Sequence, residues 1–143
     1  MGKKRIVTTE DGSDTSAKTA PVAAISKKKV DSGRLYIEST YNNTKLVLTD
    51  SKGNVLSTSS SGAIGFKGAK KGTPFAAAKV GEILGGKAST MGMKEVAVVV
   101  KGVGSGRESG IRGFISKGIN ITSIKDITSV PHNGPKPKKA RRV

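Results

Sequence analysis

The sequence predicts an α/β fold: a single domain with a five-stranded mixed sheet, helices packed on it, and extended basic tails. Three observations lead there. From residue 33 onward, short alternating segments are joined by turn-forming residues. A Thr73-Pro74 pair opens a run with helical spacing. The apolar stretch Val96 to Val100 is followed by a glycine-rich loop, a short helical pattern and one more apolar segment.

Leu35 and Ile37 alternate with Tyr36 and Glu38, the period-two pattern of a strand. Asn42-Asn43 supplies a turn, because Asn tolerates left-handed backbone. Leu46, Val47 and Leu48 form a second strand. Ser51-Lys52-Gly53-Asn54 turns the chain again, and a third strand starts at Val55, so the three make an antiparallel meander. Ser59 to Gly72 is rich in Gly, Ser and Lys and reads as loop. Thr73 then serves as N-cap with Pro74 at the first helical position. Ala76, Val80, Ile83 and Leu84 follow at helical spacing with Glu82 pointing away. Gly81, Gly85 and Gly86 each cost this helix about 1 kcal/mol against Ala. It depends on the sheet for support and ends near Met91-Gly92.

Val96 to Val100 is continuously apolar and predicts a central strand covered on both faces. The loop Gly102 to Gly106 leads into a short helix whose expected buried stripe is Ile111, Phe114 and Ile115, with Gly118 ending it. Ile119, Ile121 and Ile124 make the last strand, and the closing strand–helix–strand unit is expected to join parallel strands. Three divisions follow: an N-terminal extension, 1–30, low in hydrophobicity and expected to be disordered in the free protein; an α/β body, 31–130; and a basic C-terminal tail, 131–143.

The formal net charge of +16 is spread along the chain rather than confined to its ends. Residues 31–130 alone have fourteen Lys and Arg against seven Asp and Glu, which points to a polyanionic partner on the body itself. The last thirteen residues hold five cations, three prolines and no carboxylate. Such a stiff cationic segment cannot bury itself and is suited to threading along phosphates.

Cysteine is absent, which excludes disulfides and thiolate chemistry. His132 is the only histidine, so no two-histidine metal site can form. No cofactor and no metal are expected. The longest aliphatic run is too short for a membrane span, and Lys3-Lys4-Arg5 is followed by Glu10 and Asp11 rather than by an apolar signal region. Neither membrane association nor a homo-oligomer is expected, and a cytoplasmic location is the simplest reading.

The loop Gly62 to Gly72 holds three lysines and four glycines without a carboxylate. Glycine lets backbone amides approach phosphate oxygens, and Lys67, Lys70 and Lys71 supply charge beside a helix N-terminus. Phe66 either stacks on a base or, more commonly for Phe, covers the core edge. Lys101 to Arg107 resembles a dinucleotide-binding turn, yet Arg107 stands where the third glycine is required and no acidic residue follows at the right distance. A backbone phosphate held by loop amides and Arg107 fits better, against the plain alternative of a tight turn with Arg107 solvated. Gly81 to Lys87 matches most of a Walker A motif, but Ala88 replaces the magnesium-binding hydroxyl and the segment lies within a helix. Glu38, Asp50 and Asp126 lie on strands or strand ends, where two-metal nucleases place carboxylates. Turn-forming and solvated roles account for Glu38 and Asp50 more simply. In the tail, Asn133-Gly134 is a candidate for isoaspartate formation: the Gly134 nitrogen can attack the Asn133 amide carbon unhindered.

Asn42-Asn43-Thr44, Gly65-Phe66-Lys67-Gly68, Gly72-Thr73-Pro74-Phe75-Ala76-Ala77, Gly106-Arg107-Glu108-Ser109 and Pro131-His132-Asn133-Gly134 occur in that order ahead of a Lys/Arg-rich end. Together they resemble the universal small-subunit ribosomal protein S-eleven family in its bacterial or organellar form, over roughly residues 30–143. Acidic residues at 10, 11 and 14 depart from the family's basic arms, and Val103 and Ser105 stand where prolines are common. The resemblance implies a ribonuclease H-like topology used for binding, and a place on the platform of the small subunit. It implies contact with ribosomal RNA and neighbouring ribosomal proteins, near the upstream mRNA path. By motif it makes RNA-facing the Asn42, Asn43, Thr44 turn, the loop from Phe66 to Lys71, Arg107, and a tail of His132, Asn133, Gly134, Lys136, Lys138, Lys139, Arg141 and Arg142. The rival classes are a magnesium-dependent nuclease on the same strand order and a free regulatory RNA- or DNA-binding protein.

Overall fold

Alternation places Leu35 and Ile37 on one side of the first strand, β1 (Ser32–Ser39), and the helices cover that side. β2 (Thr44–Asp50) and β3 (Val55–Ser60) follow as antiparallel neighbours; then come α1 (Pro74–Thr90), β4 (Glu95–Lys101), α2 (Gly106–Ile115) and β5 (Asn120–Asp126). The computed structural model describes residues 29–140. The sheet order is β3-β2-β1-β4-β5, with β4 parallel to both β1 and β5. The element order, the meander and the parallel closing unit are those expected from sequence.

Register explains the core. Leu35 lies opposite Leu48 and Val98, and Ile37 opposite Leu46 and Val100, so these side chains share one face. Val80, Leu84 and Ala88 of α1 and Phe114 of α2 close over them, with Met93 and Ile119 at the end. Burying each large side chain contributes roughly 1.5–3 kcal/mol.

The expectation that Val96 to Val100 is covered on both faces is not met. Val96, Val98 and Val100 are buried while Ala97 and Val99 are only half-buried. Both helices lie on the same side, leaving Tyr36, Val47 and Val99 partly open on the other. The expected helical stripes also need correction. Ile83 is 41% exposed and Ile115 44% exposed, and Ile111 is half-buried. Small residues take their place because the helices meet backbone to backbone. A Cβ on Gly81 would stand 2.4 Å from the Gly110 carbonyl oxygen, and one on Gly113 2.3 Å from that of Ala78. Gly81 and Gly85, read from sequence as a cost, therefore permit the close contact of α1 with α2. In the last strand only Ile121 packs against the core, whereas Ile124 is 62% exposed on the sheet edge. The loop expected over Ser59 to Gly72 starts two residues later, after Ser60, and ends in a 3-10 turn, Gly68–Gly72. The Walker-like segment is helical throughout.

Candidate nucleic-acid interface

Four segments meet where β1 and β4 end: the turn 40–43, the loop 61–73, the loop 102–105 and the start of the tail. Short backbone bonds lace them together. The Gly104 amide donates to the Ser39 carbonyl at 2.9 Å, Ser61 N–H to the Thr44 carbonyl at 3.0 Å, and Ile127 N–H to the Val100 carbonyl at 2.9 Å. Ser105 Oγ donates to the Gly72 carbonyl at 2.9 Å, and Gly102 N–H to Thr128 Oγ1 at 3.1 Å. Two glycines make this possible. Gly72 is pressed against the Tyr41 carbonyl, where a Cβ would approach to 2.2 Å. Gly102 has φ +104, a conformation that side chains resist.

The turn is fixed from within, since Thr40 Oγ1 donates to the Asn43 carbonyl at 3.1 Å and accepts the Asn43 amide at 3.2 Å. Asn42 is exposed, and Asn43 is half-buried with its Oδ1 buried and unpartnered. Thr44 is a correction: its side chain is fully buried, 3.3 Å from Ser39 Oγ, and is not presented to a ligand.

Lys67 and Lys70 are exposed and Lys71 half-buried. They are set at the entrance of α1 by Thr73, whose hydroxyl donates to the Lys70 carbonyl at 2.8 Å and accepts Ala76 N–H at 3.3 Å. Among the described residues the only ion pairs are Lys79 with Glu82 and Arg107 with Asp126, so none of these three lysines is paired. Phe66 does not cover the core edge, the commoner of its two expected roles. It packs edge-on against Phe75, with ring centroids 6.1 Å apart at 84°, and Phe75 is itself 64% exposed with Lys79 Nζ 5.8 Å from its ring centre.

Arg107 is neither solvated nor free. It donates to the Gly102 carbonyl at 2.7 Å and to the Asp126 carboxylate. Asp126 also accepts Thr128 N–H at 2.8 Å and its hydroxyl at 2.6 Å. These Thr128 bonds, and secondarily Arg107, hold the Asp126 carboxyl at about 2. Arg107 thus ties the second glycine loop to the end of β5 and positions the interface.

Pro131 to Ala140 are exposed and without regular structure, and Asn133 has φ 53. His132, Gly134, Lys136, Lys138 and Lys139 all lie in this stretch, whereas Arg141, Arg142 and residues 1–28 fall outside the described residues. The strand carboxylates do not converge: Asp50 pairs with Gly33 at one end of β1, while at the other Glu38 stands beside Lys45 and Lys101 and Asp126 is engaged by Arg107 and Thr128. Sequence reasoning passed over two aromatics at this end, Tyr41 and Phe75, 80% and 64% exposed. Tyr41's place in a turn next to Asn42 was the available signal. A family model described as Ribosomal protein S11 matches residues 33–142.

Proposed function

The chain belongs to the ribosomal protein S11 family, and from that premise we propose that its laced loops and basic tail neutralise and order ribosomal RNA of the small-subunit platform. The family is structural rather than enzymatic, and its members belong to the small ribosomal subunit, binding ribosomal RNA and neighbouring ribosomal proteins. Beyond that, our reading is specific to this molecule. Residues 31–130 form the RNA-binding body, 131–143 a tail that follows phosphates, and 1–30 an extension. Lys67, Lys70 and Lys71, with Asn42 and the tail cations, face the RNA. Arg107 holds the loops in place. The protein acts as a single copy in the platform and borders the upstream path of mRNA.

One observation carries this reading: three lysines at the entrance of α1, unpaired among the described residues, in a loop without a carboxylate, on a backbone framework held by hydrogen bonds. Lysines that neutralise phosphates release cations condensed on the RNA, so affinity falls as salt rises. If six to ten phosphates are contacted, binding falls by roughly 10³–10⁵ between 50 and 200 mM salt on the duplex scale. Titrating the full chain with a central-domain ribosomal RNA fragment across that range tests it, and a flat response rejects it. Hydroxyl-radical footprinting of small subunits with and without the chain tests the location. Protection confined to RNA outside the central domain rejects the platform assignment.

A further inference from the structure

A cleft of about 320 Å³ opens between the turn 40–43 and the loop 102–105, lined by Thr40, Tyr41, Lys101, Val103, Thr128 and Ser129 among others. That volume lies at the small end of ligand sites, roughly 300–1,000 Å³. Its walls carry two large apolar side chains turned to water, Tyr41 at 80% and Val103 at 58% exposure. It has one cation, Lys101, and no carboxylate in its lining. The groove on the open sheet face differs in kind: there Glu38 sits with Lys45 and Lys101 around Tyr36, Val47 and Val99. A carboxylate at that position repels phosphate, whereas none lines the loop-end cleft, and Asp126 behind Thr128 is paired with Arg107.

The cleft walls are also preformed. Gly72 is packed under the Tyr41 carbonyl and Gly104 under that of Thr40, where added Cβ atoms would stand 2.2 and 2.3 Å away. Thr40 binds the Asn43 backbone in both directions, and Thr128 accepts the Gly102 amide. Little backbone has to be ordered on binding, which removes one of the main costs of association. A flat ring with a phosphate attached matches this set: a face for Tyr41, an apolar edge for Val103, a hydroxyl from Ser129 and an ammonium from Lys101.

We propose that this cleft holds one unstacked nucleobase of RNA on the ring of Tyr41, with Lys101 against its phosphate. The proposal rests on the RNA-binding reading above and adds to it a contact that is not electrostatic. Stacking on an aromatic side chain is tolerant of base identity and survives salt that weakens phosphate contacts.

The chain has two tyrosines and no tryptophan, so Tyr36→Phe leaves Tyr41 as the only strong emitter. That variant is titrated with a single-stranded RNA oligomer and with an abasic oligomer of equal length and charge. The RNA is expected to quench Tyr41 emission and to bind roughly five- to a hundredfold more tightly than the abasic strand. In the otherwise native chain, Tyr41→Ala removes that preference and keeps the salt slope, while Tyr41→Phe retains it. At 80% exposure the Tyr41 ring is not needed for folding, which circular dichroism checks. Equal, salt-sensitive binding of both oligomers overturns the cleft assignment and leaves the RNA-binding reading standing. Binding of neither overturns both. Emission unmoved by RNA but quenched by neighbouring ribosomal proteins gives the cleft to a protein and also overturns the proposal.

Discussion

The two ends of the sheet use the same turn chemistry and finish differently. At the end where β1 begins, the connections bond within themselves and to one another. The Asp50 carboxylate accepts the Asn54 amide at 2.8 Å and its side-chain N–H at 2.9 Å, and these bonds hold Asp50 below the ordinary carboxylate range. Lys94 N–H donates to the Asp31 carbonyl at 3.0 Å and Asn120 N–H to that of Lys94 at 2.9 Å. Gly53, with φ +93, has open space around its Cβ position. At the end where β1 and β4 finish, the turn glycines Gly72, Gly102 and Gly104 are wedged against neighbouring carbonyls, three lysines share a loop without a carboxylate, and the rings of Tyr41 and Phe75 face water. The contrast separates turns that complete the fold from turns that hold groups ready for something else. Both kinds are glycine-rich, so composition alone does not distinguish them.

Replacing Lys67, Lys70 and Lys71 together by Ala breaks the comparison most directly. If each meets a phosphate on single-stranded RNA, affinity drops roughly fifty-fold at 0.15 M salt and the log–log salt slope flattens by about 2. Lys52→Ala and Lys94→Ala at the opposite end leave both unchanged in the same filter-binding assay. Gly72→Ala comes next. With the Tyr41 carbonyl in the way, it destabilises by about 1–3 kcal/mol in urea unfolding and weakens RNA binding, since the turn moves. Gly53→Ala costs about 1–2 kcal/mol through its left-handed backbone alone and leaves RNA binding intact.

A smaller effect concerns Asp126. Its folded-state pKa is lowered from 3.8 to about 2, so its contribution to stability is present above pH 3.8 and is lost as pH falls through about 2. Thermal melts across that window are expected to show an acid limb that Asp126→Asn reduces; an unchanged limb contradicts the Arg107–Asp126–Thr128 tie. The smallest effect is chemical. Ageing is expected to yield isoaspartate at Asn133, seen by peptide mapping, with no change in folding because this tail segment is exposed.

Much of the fold was legible because the alternation of Leu35 to Glu38, the apolar run Leu46 to Leu48 and the helical spacing of Ala76 to Leu84 stand out in the sequence. The Thr73-Pro74 start was equally clear, because cap chemistry is local. What failed needed partners distant in sequence. An all-apolar run such as Val96 to Val100 looks the same whether one face or two is covered, and only the placement of both helices on one side decides it. Ile83 and Ile115 attract attention as apolar residues, while the contact is made by Gly81, Gly110 and Gly113. In the site, the lysine loop was legible from charge. The engagement of Arg107 was not, since it requires knowing that β5 returns Asp126 to the second glycine loop.

Main-chain contact between α1 and α2 limits how this protein can be engineered. Where cores consist of interdigitated side chains, a lost methyl can be replaced by a gained one nearby, and libraries of hydrophobic swaps retain foldable members. No such exchange exists across Gly81 and Gly113, because the surfaces in contact are carbonyls and Cα atoms. Attempts to raise the melting temperature are better directed at Gly86, where an added methyl would meet nothing within 4 Å and Ala fits freely.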